Sequence, residues 1–334
     1  MSRFTRTAAT SHALSTAAME EASRLGQREA DIDHLLLALT VSEQPAGRVL
    51  RDLGVTLDAA RDAVGAQHAE QLESLGLTVA MPGPGRIVFH ETGSYTWTDR
   101  CVDVLKQAAS GDQQGDATAV LRALVAEPSG LVVALLRRLD VEPDTLLARL
   151  DAPPAAAAPE SPATTEPRPG AMTRQSQVFV PASIDEVWLL VSDPARLPEW
   201  DASLARVDAV DASDPAPGDA WEGRTPTVQP DGTPVEVQPE LRRQVVELHE
   251  LDPRVHVAWR ITYPDSPRSN ARTIRVALAP STGGTDLSLS LTWERVAPDG
   301  LRARALRLAA RPILHTALWF QLSQLGSGIS RAFR

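Results

Sequence analysis

The 334-residue chain carries 43 Asp and Glu against 33 Lys and Arg, a net charge of -10 with a pI near 5.2, and this argues against a general nucleic-acid binder. A single cysteine, Cys101, excludes an intrachain disulfide and a thiolate metal cluster, and a single lysine, Lys106 in DVLKQAA, excludes a P-loop and with it ATPase chemistry by this chain alone. No cationic leader followed by an apolar run opens the sequence, and no apolar stretch of about 18 residues interrupts it, so the expectation is a cytoplasmic protein without a membrane span.

Length is enough for two domains of about 150 residues each. The seven histidines show no H-x-x-x-H spacing and no obvious carboxylate partner, so neither a metal nor a cofactor is expected. Residues 1–150 read as helices, and they repeat. HLLLAL at His34 to Leu39 is echoed by AVLRAL at Ala119 to Leu124, 85 residues on, and VLRDLGV at Val49 to Val55 by LLRRLDV at Leu135 to Val141, 86 residues on. Phe4-Thr5 and Trp97-Thr98 each open an Ala-rich amphipathic helix. Thr56 reads as an N-cap, and Glu142-Pro143 holds the matching place with proline at the first helical position. The pair of units predicts an all-α bundle.

Phe4-Thr5, Glu20-Glu21-Ala22 to Leu25-Gly26, Asp33 to Leu39 and Val49 to Val55 resemble the Clp N-terminal repeat, the double helical domain that precedes the ATPase rings of Clp chaperones. The resemblance implies docking of adaptors and substrates, through Thr5, Asp33 and His34, with Clp-type chaperone or protease components or their clients as partners. Some members recognise phosphorylated arginine through an acid just before the motif histidine. That position is Asp33 here, while Ala117 and Thr118 in the second copy imply an erased site. Two readings of Asp33 stand: this contact, or a helix N-cap shared with Asp31. His34 reads as a packed or capping residue. Between the copies, Pro82-Gly83-Pro84-Gly85 predicts a hairpin.

Residues 151–172, DAPPAAAAPESPATTEPRPGAM, contain six prolines and no apolar periodicity, and read as a solvated linker. From Thr173 to residue 334 the period changes to two. RQSQVFVPA predicts a strand, Ser183 to Glu186 a capping box opening a helix to Val191, and Asp193-Pro194 its stop. LARVDAVDA and a Pro/Gly-interrupted section follow, then strands RRQVVELHEL, RVHVAWRITY, ARTIRVALA and TDLSLSLTW, and a helix from Leu301 to Phe333 with a kink at Pro312.

This order, with Val178 to Trp200 (VFVPASIDEVWLLVSDPARLPEW), resembles the START-like helix-grip fold of the polyketide cyclase/dehydrase-like SRPBCC family, an α+β domain whose antiparallel sheet grips a long C-terminal helix. The resemblance implies a ligand cavity between sheet and helix. Alternation places Val255, Val257, Trp259 and Ile261 on one face, with Ile274, Val276 and Leu278, and with Leu287, Leu289, Leu291 and Trp293. Trp200 joins them, and Tyr263 and His315 are the only polar groups expected near the mouth. Such walls suit a hydrophobic small molecule, and a filled core without ligand is the competing reading. His249, His256, Arg260 and Glu294 alternate outward, unless a one-residue bulge reverses the face, so no catalytic residue is assigned. Arg302, Arg304, Arg307, Arg311, Arg331 and Arg334 on an acid-free helix read as its solvated back, with a cationic face for anionic lipid as the alternative. The expected function is non-enzymatic binding: a Clp-type docking domain without its ATPase, joined to a domain for an apolar ligand. A cyclase or dehydratase using Tyr263, His256 or His315, and a lipid or metabolite carrier, are the alternatives.

Overall fold

A computed structural model describes residues 3–77, 85–90, 94–110, 115–152, 171–208, 215–294 and 301–334, with side chains described outside 3–11 and 301–312. The Pro82 to Gly85 turn lies largely outside the described residues. The chain divides into two compact units at Ala157/Ala158, and each is described by itself.

The first unit comprises α1 (Arg3–Arg24), β1 (Glu29–Ala30), α2 (Ile32–Thr40), α3 (Pro45–Asp52), α4 (Leu57–Ser74), β2 (Thr96–Trp97), α5 (Asp99–Ser110), α6 (Ala117–Val125), α7 (Leu131–Arg138) and α8 (Pro143–Asp151). Every residue of α2 is buried, because apolar side chains surround this helix and α1, α3, α4, α5, α6 and α7 all pack on it. Its ends are tied down. Asp31 is the N-cap, and Arg51 donates Nη1 to the carbonyls of Thr40 and Ser42 at 2.7 and 2.8 Å, satisfying acceptors at the C-terminus.

The duplication read from sequence recurs in geometry. Helices α2 and α6 have nine residues each, and α3 and α7 eight each. Asp31 and Asp116 cap the paired helices. After α3, Gly54 takes φ +86° as Val55 N–H bonds to Leu50 O; after α7, Asp140 takes φ +57° as Val141 N–H bonds to Leu136 O. The same left-handed stop closes both helices, with glycine in one copy and a tolerated aspartate in the other. The copies diverge afterwards, where α4 has 18 residues and α8 nine. β1 and β2 form a short parallel pair that the sequence reading missed.

The second unit comprises β3 (Met172–Val180), α9 (Ile184–Val191), a 3-10 turn at Pro194–Arg196, α10 (Leu197–Trp200), β4 (Arg206–Val207), β5 (Ala220–Arg224), a 3-10 turn at Pro239–Leu241, β6 (Arg243–Asp252), β7 (His256–Thr262), β8 (Ala271–Ser281), β9 (Gly284–Glu294) and α11 (Leu301–Arg331). Ser183 and Glu186 satisfy each other's backbone N–H at 2.9 and 3.3 Å, the capping box that starts α9. The sheet is antiparallel throughout, ordered β3-β9-β8-β7-β6-β5-β4. β5, within the Pro/Gly-interrupted section, was not expected.

Helix α11 packs on β3, β9 and α10 and runs through Pro312 as one assigned helix. Leu318, Leu322, Leu325 and Ile329 are its buried stripe. Two glycines permit the approach: a Cβ on Gly326 would meet Val178 Cγ2 at 2.5 Å, and one on Gly328 the Trp200 carbonyl oxygen at 2.4 Å. This antiparallel sheet with a long closing helix fits a helix-grip domain.

Candidate ligand-binding site

Cross-strand partners of an antiparallel pair share a face, so the register lays out the sheet surface under α11 in rows. One row crosses Ser176, Leu289, Val276, Val257 and Leu251; the next crosses Arg174, Leu291, Ile274, Trp259 and Leu248; a third crosses Met172, Trp293, Arg272, Ile261, Val246 and Trp221. The predicted lining residues Trp200, Val257, Trp259, Ile261, Ile274, Val276, Leu289 and Leu291 are all buried in one apolar cluster with the α11 stripe, and Trp293 packs against it. Two of the large rings have their polar edges paired. Trp259 Nε1 donates to Val191 O at the end of α9 at 2.9 Å, and Trp293 Nε1 to Gln321 Oε1 at 3.0 Å.

Three expectations require correction. Val255 is 47% exposed, because β7 starts at His256 and Val255 sits in the turn that Arg254 enters with φ +61°. Tyr263 lies one residue beyond the end of β7 and is not among the residues of the apolar cluster. His315 does extend the α11 stripe one turn toward the N-terminus, and its Nδ1 is buried without a hydrogen-bond partner. The polar content of the face is also larger than expected: Arg174 and Ser176 on β3, Gln244 on β6 and Arg272 on β8 point to the same side as the apolar rows.

The bulge exists, but in β6: partners shift between Leu248 and Glu250, leaving His249 exposed and the faces of β7, β8 and β9 unreversed. On the opposite face Arg260 lies between Glu294 and Glu247, with Arg260 Nη2 3.1 Å from Glu294 Oε2, and Glu250 pairs with Arg275 and with His256 at 3.3 Å. His256 is therefore on the far side of the sheet from His315, and the two share no site.

In the helical unit, Thr5 lies on α1 with its side chain outside the described ones. Asp31, not Asp33, is the cap, and it also accepts from Thr98 Oγ1 at 2.6 Å and pairs with Arg100. Asp33 is 2% exposed: its Oδ1 accepts the His34 backbone N–H at 2.7 Å and lies 2.9 Å from His34 Nδ1, and its Oδ2 lies 3.1 Å from His68 Nε2. Burial alone would raise its pKa, but the bonds it accepts from the His34 backbone N–H and from His68 outweigh it and hold the carboxyl far below the ordinary range. The same bond raises His68 against the opposing effect of its burial. His34, buried, accepts the Asp31 N–H on Nδ1 at 3.1 Å, the capping role foreseen. His68–Asp33 and His90–Glu20, the latter at 2.7 Å, are carboxylate–histidine pairs that no spacing signalled, since 35 and 70 residues separate the partners. Burial pushes the Cys101 thiol up to about 12, leaving it inert as a nucleophile.

Residues 172–326 match the family model described as "Polyketide cyclase / dehydrase and lipid transport". The C-terminal unit is a polyketide cyclase/dehydrase-like domain. Solved structures similar to the chain include protein CV1439 from Chromobacterium violaceum, 19% identical over 47% of this chain and 96% of that one, with a TM-score of 0.31. The Polyketide_cyc-like protein Cgl2372 from Corynebacterium glutamicum is 19% identical over 50% of this chain and 91% of that one, with a TM-score of 0.32. Curated proteins gave no match. Among the described residues of the polyketide cyclase-like domain and its helical neighbour, no helix is long and apolar enough to cross a membrane.

Proposed function

We propose that the polyketide cyclase/dehydrase-like domain binds a hydrophobic small molecule between its sheet and α11, acting as a binding or carrier module. The observation that carries this is the continuity of the buried apolar rows beneath α11, a surface that rewards hydrocarbon and penalises unpaired polar groups. The family description, which joins polyketide cyclases to lipid transport, supports it. Native mass spectrometry of the freshly purified full chain tests it. Retained mass that organic solvent releases is the expected result; a bare chain that also fails to take up apolar probes would refute it.

For the helical unit we propose a Clp-type docking role without an ATPase, supported by the duplicated helix order with matched caps and left-handed stops. With both oxygens of Asp33 held by His34 and His68, recognition of phosphorylated arginine through that carboxyl is not part of the proposal. The partner would be a Clp-type chaperone or protease component, or a client. Surface plasmon resonance with purified Clp-type components tests this, and absence of binding to any of them would remove the docking role.

A further inference from the structure

At one end of the inner sheet face sits a buried polar cluster that a purely hydrocarbon ligand would not need. Arg272, 4% exposed, donates Nη2 to Asp201 Oδ2 at 2.8 Å and also to Ser203 Oγ, and Nη1 to Asp201 Oδ1 at 3.4 Å. Ser203 in turn donates its N–H and Oγ–H to Asp201 Oδ1 at 3.0 and 2.8 Å. Gln244, fully buried, gives both amide hydrogens away, to Ser203 O at 2.8 Å and Thr225 Oγ1 at 2.7 Å. Thr225 commits its own proton to Leu241 O at 2.6 Å, so toward Gln244 it only accepts, and this settles which way the amide points.

Within this corner three atoms are buried without partners, Gln244 Oε1, Arg272 Nε and Trp200 Nε1; Arg174 Nε and Ser176 Oγ on β3 and His315 Nδ1 on α11 are the other such atoms of the unit among the described residues. Ser203 holds both Gln244 and Arg272, and Trp200 adjoins Asp201 in the chain. Unmet buried groups are costly, and native structures leave few of them unexplained. Here the unmet set is two donors and one acceptor, the complement of a single hydroxyl group, which accepts twice and donates once. Asp201 already balances the charge of Arg272, so an added carboxylate would be an uncompensated buried charge. Arg174, on the edge strand and in another row, is only partly buried as a residue, although its Nε too lacks a partner.

We infer that Trp200, Arg272 and Gln244 form a subsite for the hydroxyl of an otherwise apolar, uncharged ligand, a phenol or alcohol. The inference rests on the ligand-binding reading above and names the polar end of what that site takes. Isothermal titration of the full chain with 2-naphthol, naphthalene and 2-naphthoate tests it. The expected order puts 2-naphthol about tenfold tighter than either of the others, the worth of one or two completed hydrogen bonds. Gln244→Leu and Trp200→Phe should each bring 2-naphthol down toward the naphthalene affinity while leaving naphthalene unchanged. Trp200→Phe, which keeps an aromatic ring in place, carries the test should Gln244→Leu fail to fold. Equal affinity for 2-naphthol and naphthalene would mean that water completes the corner, and tightest binding of 2-naphthoate that an anion is wanted; either overturns the subsite and leaves the apolar site standing. Failure of all three probes to bind would overturn that reading and the subsite with it.

Discussion

Replacing Gly328 by alanine tests whether α11 is pressed against α10 as described. The added Cβ would lie 2.4 Å from the Trp200 carbonyl oxygen and 3.1 Å from both Cα and C of Trp200, and backbone atoms cannot swing aside as the end of a side chain can. Overpacking of this kind costs about 1–3 kcal/mol, and a backbone collision belongs at the upper end. Alanine returns roughly 1 kcal/mol through its better helix propensity, leaving a net loss of about 2 kcal/mol. At about 2–4 °C per kcal/mol for a unit of this size, the midpoint should fall by about 4–8 °C. Tryptophan fluorescence is the natural probe, since Trp188, Trp200, Trp221, Trp259, Trp293 and Trp319 belong to the second unit and only Trp97 to the first. Gly65→Ala in α4 is the matched control: nothing lies within 4 Å of its added Cβ, so the same substitution should stabilise by about 1 kcal/mol, read from helical circular dichroism. A midpoint unchanged or raised in Gly328→Ala would show that the helix does not bear on Trp200.

Arg272→Met should cost about 3–5 kcal/mol, because it strands the buried Asp201 carboxylate, while adding Asp201→Asn should recover much of the loss; strictly additive effects in urea unfolding would contradict the buried pair. In the helical unit the raised pKa of His68 supplies stability that is complete below its ordinary value of about 6.5 and lost as pH rises through the folded value, whereas the lowered pKa of Asp33 supplies stability present above about 3.9 and lost only as pH falls through the folded value. The pair should therefore contribute most between about pH 4 and 6.5. His68→Gln should shrink the stability difference between pH 5.5 and pH 8.5 measured by urea unfolding, and an undiminished difference would place its origin elsewhere. Asp140→Gly should stabilise by about 0.5–1 kcal/mol, since φ +57° suits glycine and Gly54 already fills the matching position; a loss would show that the aspartate side chain contributes there beyond its backbone.

The apolar half of the candidate site was legible because strand period and burial coincide: Val257, Trp259, Ile261, Ile274, Val276, Leu289 and Leu291 alternate in sequence and are buried together in the fold. The polar half was not, for two separate reasons. Arg272 stands in phase with Ile274 and Val276, but an arginine at a strand end reads as solvated unless its partner is known, and Asp201 lies 71 residues away in a loop. Arg174 and Ser176 lie on the inner face only because β3 pairs with β9, and closing the first strand onto the last is a fact of topology that no local pattern encodes. The same limit applies in the helical unit. Asp31 and Asp33 look equivalent as caps in DIDHLLL until the helix phase is known; one then faces Thr98 and Arg100 and the other turns inward onto His68. Hydrophobic periodicity thus locates the surfaces, since each apolar residue gains from burial whatever its neighbour. Buried charges need a named partner, and the partner is supplied by register and loop placement.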